Sequence, residues 1–298
     1  MKLVYLENCE WEIDFIRYEI LNEIENIELK VFTKDTITLL VNETDLINNN
    51  FFVVNCVCNF DDILSVVKVI KPIVIFFLSD ESGDTLTKSN YIILEKYAKL
   101  FYRQYNHKFI NYSTNNKQMP LGYVKNFLNQ QNSSNIIVKK MDKRNINVSF
   151  IGTPKNDREY MKYIFENNMI NTRIVFVNNN WDVQNLPVNP KEMFSIYNDS
   201  IFVINGRGNI TLDCFRIYEA VVCGSIPVIV GNMNEINITF NYDNNIPPFV
   251  YANTWDEAVV ICNNLLKEPE KLQKKQNEII IWWKNIISNL KNNIKNCL

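Results

Sequence analysis

The sequence predicts an α/β protein made of two similar halves, each a parallel sheet flanked by helices. Three observations carry that expectation. Short apolar runs rich in β-branched and aromatic residues alternate with segments of helical spacing along most of the chain. The alternation starts afresh after the polar and basic stretch "NQQNSSNIIVKKMDKRN". A chain of 298 residues, 47% of them hydrophobic, can also bury more core than one domain of ~150 residues needs. The expected division is an N-terminal domain over 1–140, a C-terminal domain over 141–270, and an amphipathic helix over 271–298 that packs back on the first domain.

In the first half, "FFVVNCVC" and "KPIVIFFLS" read as buried strands, bounded by polar turns. Strand alternation would put Cys56 and Cys58 on one side of the former as small buried hydrophobes. Helical spacing runs from Tyr91 to Tyr105, and "HKFINYS" reads as a further strand. In the second half "NINVSFIG" is a strand and Asp157 is placed to cap the helix "REYMKYIFENN". "TRIVFVN" is the next strand. The helix "NPKEMFSIYNDS" has Asn189 as N-cap and Pro190 at its first position. "SIFVIN", "SIPVIVG" and "PFVYA" are strands, "DCFRIYEAVVC" is a helix, and Thr254 and Glu257 have capping-box spacing before "WDEAVVICNNLL". The C-terminal run carries Ile279, Trp283, Ile286, Leu290 and Ile294 as one apolar stripe.

Composition excludes several functions. Net charge is -2 with no block of five or six like charges, so neither nucleic acid nor an anionic membrane is an expected partner. Lys139, Lys140 and Lys143 read as a solvated face. No window approaches 18 uninterrupted apolar residues and the start lacks an h-region, so no membrane span or signal peptide is expected. The 7 cysteines are scattered and form no Cys-x-x-Cys pair, which suits a reducing compartment. Asn-x-Ser/Thr triplets fall at Asn147, in an expected core strand, and at Asn209, in an expected binding loop, where a glycan would be ruinous. A cytoplasmic protein is the expectation.

The functional signal is concentrated. Of only 7 glycines, Gly206, Gly208, Gly224 and Gly231 all lie in "SIFVINGRGNITLDCFRIYEAVVCGSIPVIVG". The other three, Gly83, Gly122 and Gly152, each close or follow an apolar run, where α/β proteins carry binding loops. A strand, a Gly-Arg-Gly loop and a helix in succession would present free N–H groups at a positive helix terminus, an anion site. Arg207 adds a planar fork for phosphate oxygens. Arg216 and Glu219 share one helix face, where a carboxylate could hold a ribose and the arginine a diphosphate; the bland alternative is that they pair only with each other. Gly206, Gly208 and Thr211 also give Gly-x-Gly-x-x-Thr, but a dinucleotide site would want a third glycine and an acid after the next strand. His107, the lone histidine, reads as a surface or half-buried residue rather than a base.

The same window resembles the signature of exostosin-type glycosyltransferases, in which a small-residue/Arg-Gly loop precedes Arg-x-x-Glu-Ala and Gly-x-Ile-Pro-Val. The matching residues are Arg207, Gly208, Asp213, Arg216, Glu219, Ala220, Gly224, Ile226, Pro227 and Val228. "VSFIGTPKNDREY", with Gly152 and Arg158, and "PPFVYANTWDEAV" resemble the flanking elements. "FFLSDES", "FYRQY" and "MPLGY" are similar to elements of the branch that includes xylosyltransferase-like members.

The resemblance implies a GT-B architecture: two Rossmann-like domains facing each other across a cleft, with a nucleotide-sugar in the C-terminal one and a glycan or glycoprotein acceptor entering from the other. It implies donor binding by Gly152, Arg158, Gly206, Arg207, Gly208, Asp213, Arg216 and Glu219. Such enzymes need no Asp-x-Asp metal site, and none is present. The expected cofactor and metal content is therefore none, and the donor is expected to be a UDP-sugar, UDP-xylose among the candidates. In an inverting transfer a base must take the acceptor proton, and Asp80 and Glu81, at the carboxyl end of an expected strand, are the candidates. Two other readings stay open: an inactive nucleotide- or sugar-binding module, and a nicotinamide-dependent oxidoreductase.

Overall fold

The structure, a computed structural model, describes residues 1–106, 115–177, 188–242 and 245–298. They form two compact units, residues 1–121 with 287–298, and residues 122–286. "HKFINYS" and His107 lie outside the described residues.

Unit one carries strands β1 (Lys2–Leu6), β2 (Glu28–Phe32), β3 (Asn50–Asn55), β4 (Val74–Leu78), β5 (Leu100–Arg103) and β6 (Asn116–Gln118), with helices α1 (Phe60–Ile70) and α2 (Lys88–Leu94). All pairings are parallel, in the order β2-β1-β3-β4-β5-β6. β3 and β4 are buried along their whole length, as an all-parallel sheet covered on both faces requires.

Two expectations change here. The helix starting near Tyr91 ends at Leu94, and "LFYR" is strand β5, because those residues fill a fully buried slot beside β4. Strand β3 stops at Asn55, whose Oδ1 accepts from Val57 N at 3.2 Å while its carbonyl accepts from Cys58 N at 3.2 Å. That side-chain-stabilised turn leaves Cys56 exposed and Cys58 buried, not aligned on a strand.

Unit two carries β7 (Ile146–Gly152), β8 (Thr172–Phe176), β9 (Ser200–Asn205), β10 (Ile226–Val230) and β11 (Val250–Ala252). Its helices are α3 (Arg158–Asn168), α4 (Pro190–Asn198), α5 (Phe215–Val222), α6 (Met233–Thr239) and α7 (Trp255–Leu266). The parallel order β11-β10-β9-β7-β8 has the chain leave β7 toward one edge and return on its other side, so β7 and β9 flank the topological switch point. In open α/β sheets, ligands bind at the carboxyl ends of such strands.

Asn189 caps α4 through Glu192 N with Pro190 at the first position. At α7 only half of the capping box forms: Thr254 accepts from Glu257 N, but the Glu257 carboxylate turns to Asn253 N at 2.8 Å.

The last helix, α8 (Pro269–Lys295), buries Ile279, Trp283, Ile286, Leu290 and Ile294, the stripe read from the sequence. Within unit two, the Trp283 ring packs tilted against Tyr218 and the Trp282 ring packs edge-on against Tyr242. Within unit one, Tyr102 donates to Leu290 O at 3.3 Å and Lys291 and Lys295 pair with Glu23. Among the described residues no helix is long and apolar enough to cross a membrane.

Lys139, Lys140 and Lys143 are exposed, but Arg144 beside them is buried. Its guanidinium donates to the carbonyls of Lys139, Tyr197, Ser200 and Cys223 and to Ser225 Oγ, at 2.5 to 3.3 Å. One side chain thus ties together the ends of α4 and α5 and the start of β9. Burial pulls its pKa down to about 10.

Candidate functional site

Two arginines meet at the unit-two switch point. Arg158 opens α3 immediately after β7 and is 1% exposed; Arg216 lies in the first turn of α5, after β9, and is half-buried. Both guanidiniums sit on the ring of Phe150, with their central carbons 5.3 Å and 5.6 Å from its centroid.

The glycines explain how two such groups fit. A Cβ on Gly152, the last residue of β7, would stand 2.7 to 2.9 Å from the Arg216 guanidinium, and one on Gly206 would stand 2.5 Å from Arg158 Cγ. Both are glycine because an arginine occupies the space a side chain would need.

Both cations are held by carbonyls rather than by carboxylates. Arg158 donates to Thr153 O at 3.1 Å and to Arg207 O at 2.7 Å, with a longer contact to Gly206 O, and its buried Nε has no partner. Arg216 Nε donates to Ile151 O. Each guanidinium repels the other, and burial first, then Arg216, pulls Arg158 down to about 10. Two guanidiniums kept close, with backbone carbonyls as their hydrogen-bond partners, make a preorganised anion site. Its open donors adjoin the first turn of α5, whose N-cap, Cys214, supplies no side-chain cap.

The loop between them differs from the sequence reading. The N–H of Arg207 donates to Asp157 Oδ1 at 3.3 Å and that of Gly208 to Thr211 O at 2.8 Å, so neither is a free anion donor. Asp157 stands at the N-cap position of α3 but makes no capping bond, because its second oxygen accepts from Trp255 Nε1 at 2.9 Å. This carboxylate clamps the Gly-Arg-Gly loop to the first residue of α7, which explains why a tryptophan belongs there.

Arg207 is paired as well. Its two terminal nitrogens meet both carboxylate oxygens of Glu235 on α6, one at 3.0 Å and the other closer. Asp213 is 1% exposed and accepts from Tyr218 OH at 2.8 Å, and that hydroxyl also bonds Tyr242 OH. Glu219 is 1% exposed, and one of its oxygens accepts from Val124 N at 3.4 Å. Arg216 and Glu219 therefore do not simply pair with each other. The structure gathers Gly152, Arg158, Gly206 and Arg216 around Phe150, while Gly208, Arg207, Asp213 and Glu219 are held in contacts of their own.

Residues 124–298, more than half of the chain, match a family model described as the RXYLT1 C-terminal domain. The chain belongs to the RXYLT1 C-terminal domain family. The stretch matched as the RXYLT1 C-terminal domain takes in the whole of the second sheet and every arginine of the site. No curated protein matches the chain. Among solved structures, Anabaena Alr3699/HepE in complex with UDP aligns with a TM-score of 0.56 at 10% identity, over 99% of each chain. The T4 phage β-glucosyltransferase aligns with a TM-score of 0.51 at 16% identity, over 100% of this chain and 99% of its own. The fold is GT-B.

Burial outweighs the attraction of Arg216 and raises Glu219 from 4.5 to about 7. The native state keeps a proton that the unfolded chain releases above about 4.5, so this contribution is complete below that pH and is lost as pH rises through 7. Stability should therefore fall between pH 5 and pH 8, Glu219 supplying roughly 3 kcal/mol of the change. Melting curves across that range should show the slope, and Glu219→Gln should flatten it; an unchanged slope would remove Glu219 as its source.

In unit one, Asp80 follows β4 but is sealed in an ion pair with Arg103, Nη1 to Oδ2 3.2 Å, with side-chain exposures of 1% and 0%. Arg103 Nη2 also holds the Asp80 carbonyl at 2.8 Å. Glu81 beside it is half-buried.

Proposed function

We propose that the protein is an inverting glycosyltransferase that moves a sugar from a nucleotide-sugar, a UDP-sugar, to a hydroxyl of a glycan or glycoprotein. The observation that carries this is the pair of guanidiniums converging at the unit-two switch point with glycines cut away to admit them. A leaving nucleoside diphosphate gains negative charge as the anomeric bond breaks, and fixed cations placed before reaction stabilise that charge without reorganising. Arg216 would meet the diphosphate directly, and Arg158 would hold the loop carbonyls of Gly206 and Arg207 so that the site keeps its shape. Gly208, Arg207, Asp213 and Glu219 complete the proposed donor site as its loop and its support. HepE in its UDP complex shares the fold, which supports the choice of nucleotide.

The proposed mechanism needs no metal, since arginines take the role of a cation on the diphosphate and the chain has no Asp-x-Asp. All seven cysteines are free thiols, which fits a reducing, cytoplasmic setting. The resemblance to exostosin-type glycosyltransferases, with their xylosyltransferase-like branch, supports UDP-xylose as the first donor to try.

The test is release of UDP from a panel of UDP-sugars, UDP-xylose and UDP-glucose included, in excess chelator. Turnover that survives the chelator is expected. Activity that vanishes and returns with manganese or magnesium would replace the metal-free mechanism. Binding of UDP without any release would leave a binding module, and thermal stabilisation by a nicotinamide dinucleotide instead of UDP would overturn the reading.

A further inference from the structure

A ribose or a sugar ring offers neighbouring hydroxyls, and a carboxylate open to solvent can take one O–H on each of its oxygens. In unit two, Asp157, Asp213, Glu219 and Glu235 follow β7, β9 and β10. Asp157 has its oxygens on Arg207 N and Trp255 Nε1. Asp213 and Glu219, the latter the carboxylate that helical spacing would put on a ribose, are each 1% exposed. Glu235, on α6, keeps 27% of its side chain exposed.

Glu235 is also held in one orientation. Both terminal nitrogens of Arg207 meet its two oxygens, planar fork against planar carboxylate. An ionised carboxylate has about four lone-pair sites, so a two-pronged arginine leaves one on each oxygen. Two such sites, side by side, fit two adjacent hydroxyls.

The backbone on either side of the pair is fixed. Arg207 N donates to Asp157 Oδ1 at 3.3 Å, its carbonyl accepts from Arg158 at 2.7 Å, and the Gly208 carbonyl accepts from Asn156 Nδ2. The Arg158 bond ties this loop to the two guanidiniums over Phe150. Across from it, Asn232 Oδ1 accepts from Glu235 N at 3.0 Å. Gly231, just after β10, leaves the room: a Cβ there would stand 2.6 Å from Leu212 Cδ1 and 3.3 Å from Glu235 Oε2. Ile210, whose carbonyl accepts from Arg207 Nη1 at 3.4 Å, and Met233, two residues before Glu235, are exposed apolar side chains, suited to the C–H face of a ring. A half-exposed ion pair adds little to stability, so stability does not account for so fixed a placement beside the anion site.

We propose that Glu235, oriented by Arg207, accepts hydrogen bonds from two adjacent hydroxyls of the bound nucleotide-sugar. This rests on the glycosyltransferase reading and adds to it the group that recognises a diol, a role that falls to Glu235 and not to the sealed Glu219. Two diols have the required chemistry, the ribose 2′,3′-diol of the nucleoside and a vicinal diol of the transferred sugar. In either case Glu235 acts in binding and specificity. No proton or electron pair leaves it.

Calorimetric titration of the full chain with four ligands separates the two sources. The first pair is UDP and 2′,3′-dideoxy-UDP. The second is UDP-xylose or UDP-glucose, whichever the parent binds more tightly, and the methyl ester of UDP, which has the charge of a UDP-sugar and no sugar. Within each pair the charge is equal, so the ratio of affinities cancels any change that a variant makes to the field on the diphosphate. In Glu235→Gln one ratio should fall ~10-fold from the parent's, as expected for losing a charged hydrogen-bond partner. A fall in UDP over dideoxy-UDP assigns the ribose, and a fall in UDP-sugar over methyl ester assigns the sugar. Glu235→Asp keeps the charge but withdraws it by one methylene, and should lower the same ratio. Both ratios within threefold of the parent's, in whichever of these two variants folds, would overturn the proposal, including the case where all four ligands weaken together as the loop collapses. A parent that binds none of the four would instead overturn the donor reading itself.

Discussion

Arg216→Met is expected to weaken UDP binding 10- to 100-fold while leaving the melting temperature unchanged or higher. The loss follows from removing a charged hydrogen-bond partner, ~1.5–3 kcal/mol, at about tenfold per 1.4 kcal/mol. The gain in stability follows from relieving a like charge, because Arg216 depresses Arg158 through repulsion. Arg158→Met should be worse on both counts. It leaves the carbonyls of Thr153, Gly206 and Arg207 without their buried donor, so the loop loses its shape as well as its charge. Lysine should not rescue Arg158, since a point charge cannot replace a fork that holds several carbonyls at once. Calorimetric titration with UDP checks affinity and melting curves check stability. Parental affinity in both variants would show that the nucleotide binds elsewhere.

Arg144→Met should destabilise unit two by about 3–5 kcal/mol without touching the proposed donor site. Removal strands the buried Cys223 carbonyl, at a cost on the order of 1–3 kcal/mol, and takes the charged donor from the carbonyls of Tyr197 and Ser200, which keep only Ser225 Oγ as a side-chain donor. At roughly 2–4 °C per kcal/mol for a domain of this size, the melting temperature should drop by about 10 °C or more. UDP affinity measured below the transition should stay near the parent's. A shift under 2 °C would mean that these carbonyls find other donors at little cost.

The elements that announced themselves in the sequence were those whose local chemistry agrees with their place in the fold. β3, β4, β7, β9 and β10 are apolar because both faces of a parallel sheet are covered, and the α8 stripe is apolar because it is the one buried face of a long helix. β1 and β2 carry no sequence expectation, since "KLVYL" and "ELKVF" are short and interrupted by charge, at Lys2 in the first and at Glu28 and Lys30 in the second. β5 was read as helix because its four residues follow a helical segment and only the slot between β4 and β6 makes them extended.

The candidate site was legible as a cluster of glycines and arginines, but not as a geometry. Nothing local says that Gly152 makes room for an arginine 64 positions later, or that Asp157 leaves its own helix to join Arg207 to Trp255. Arg207, the most conspicuous arginine in the sequence, is paired with Glu235, and Arg158, outside the glycine window, is the buried one.

The most direct test of the donor site is amide hydrogen exchange with and without saturating UDP. Segments 150–158 and 205–217, which carry Phe150, Gly152, Arg158, Gly206 and Arg216, should slow together in the parent and respond much less in Arg216→Met at the same nucleotide concentration. Protection confined to other segments, or no protection where UDP demonstrably binds, would contradict the assignment of the unit-two switch point as the nucleotide site.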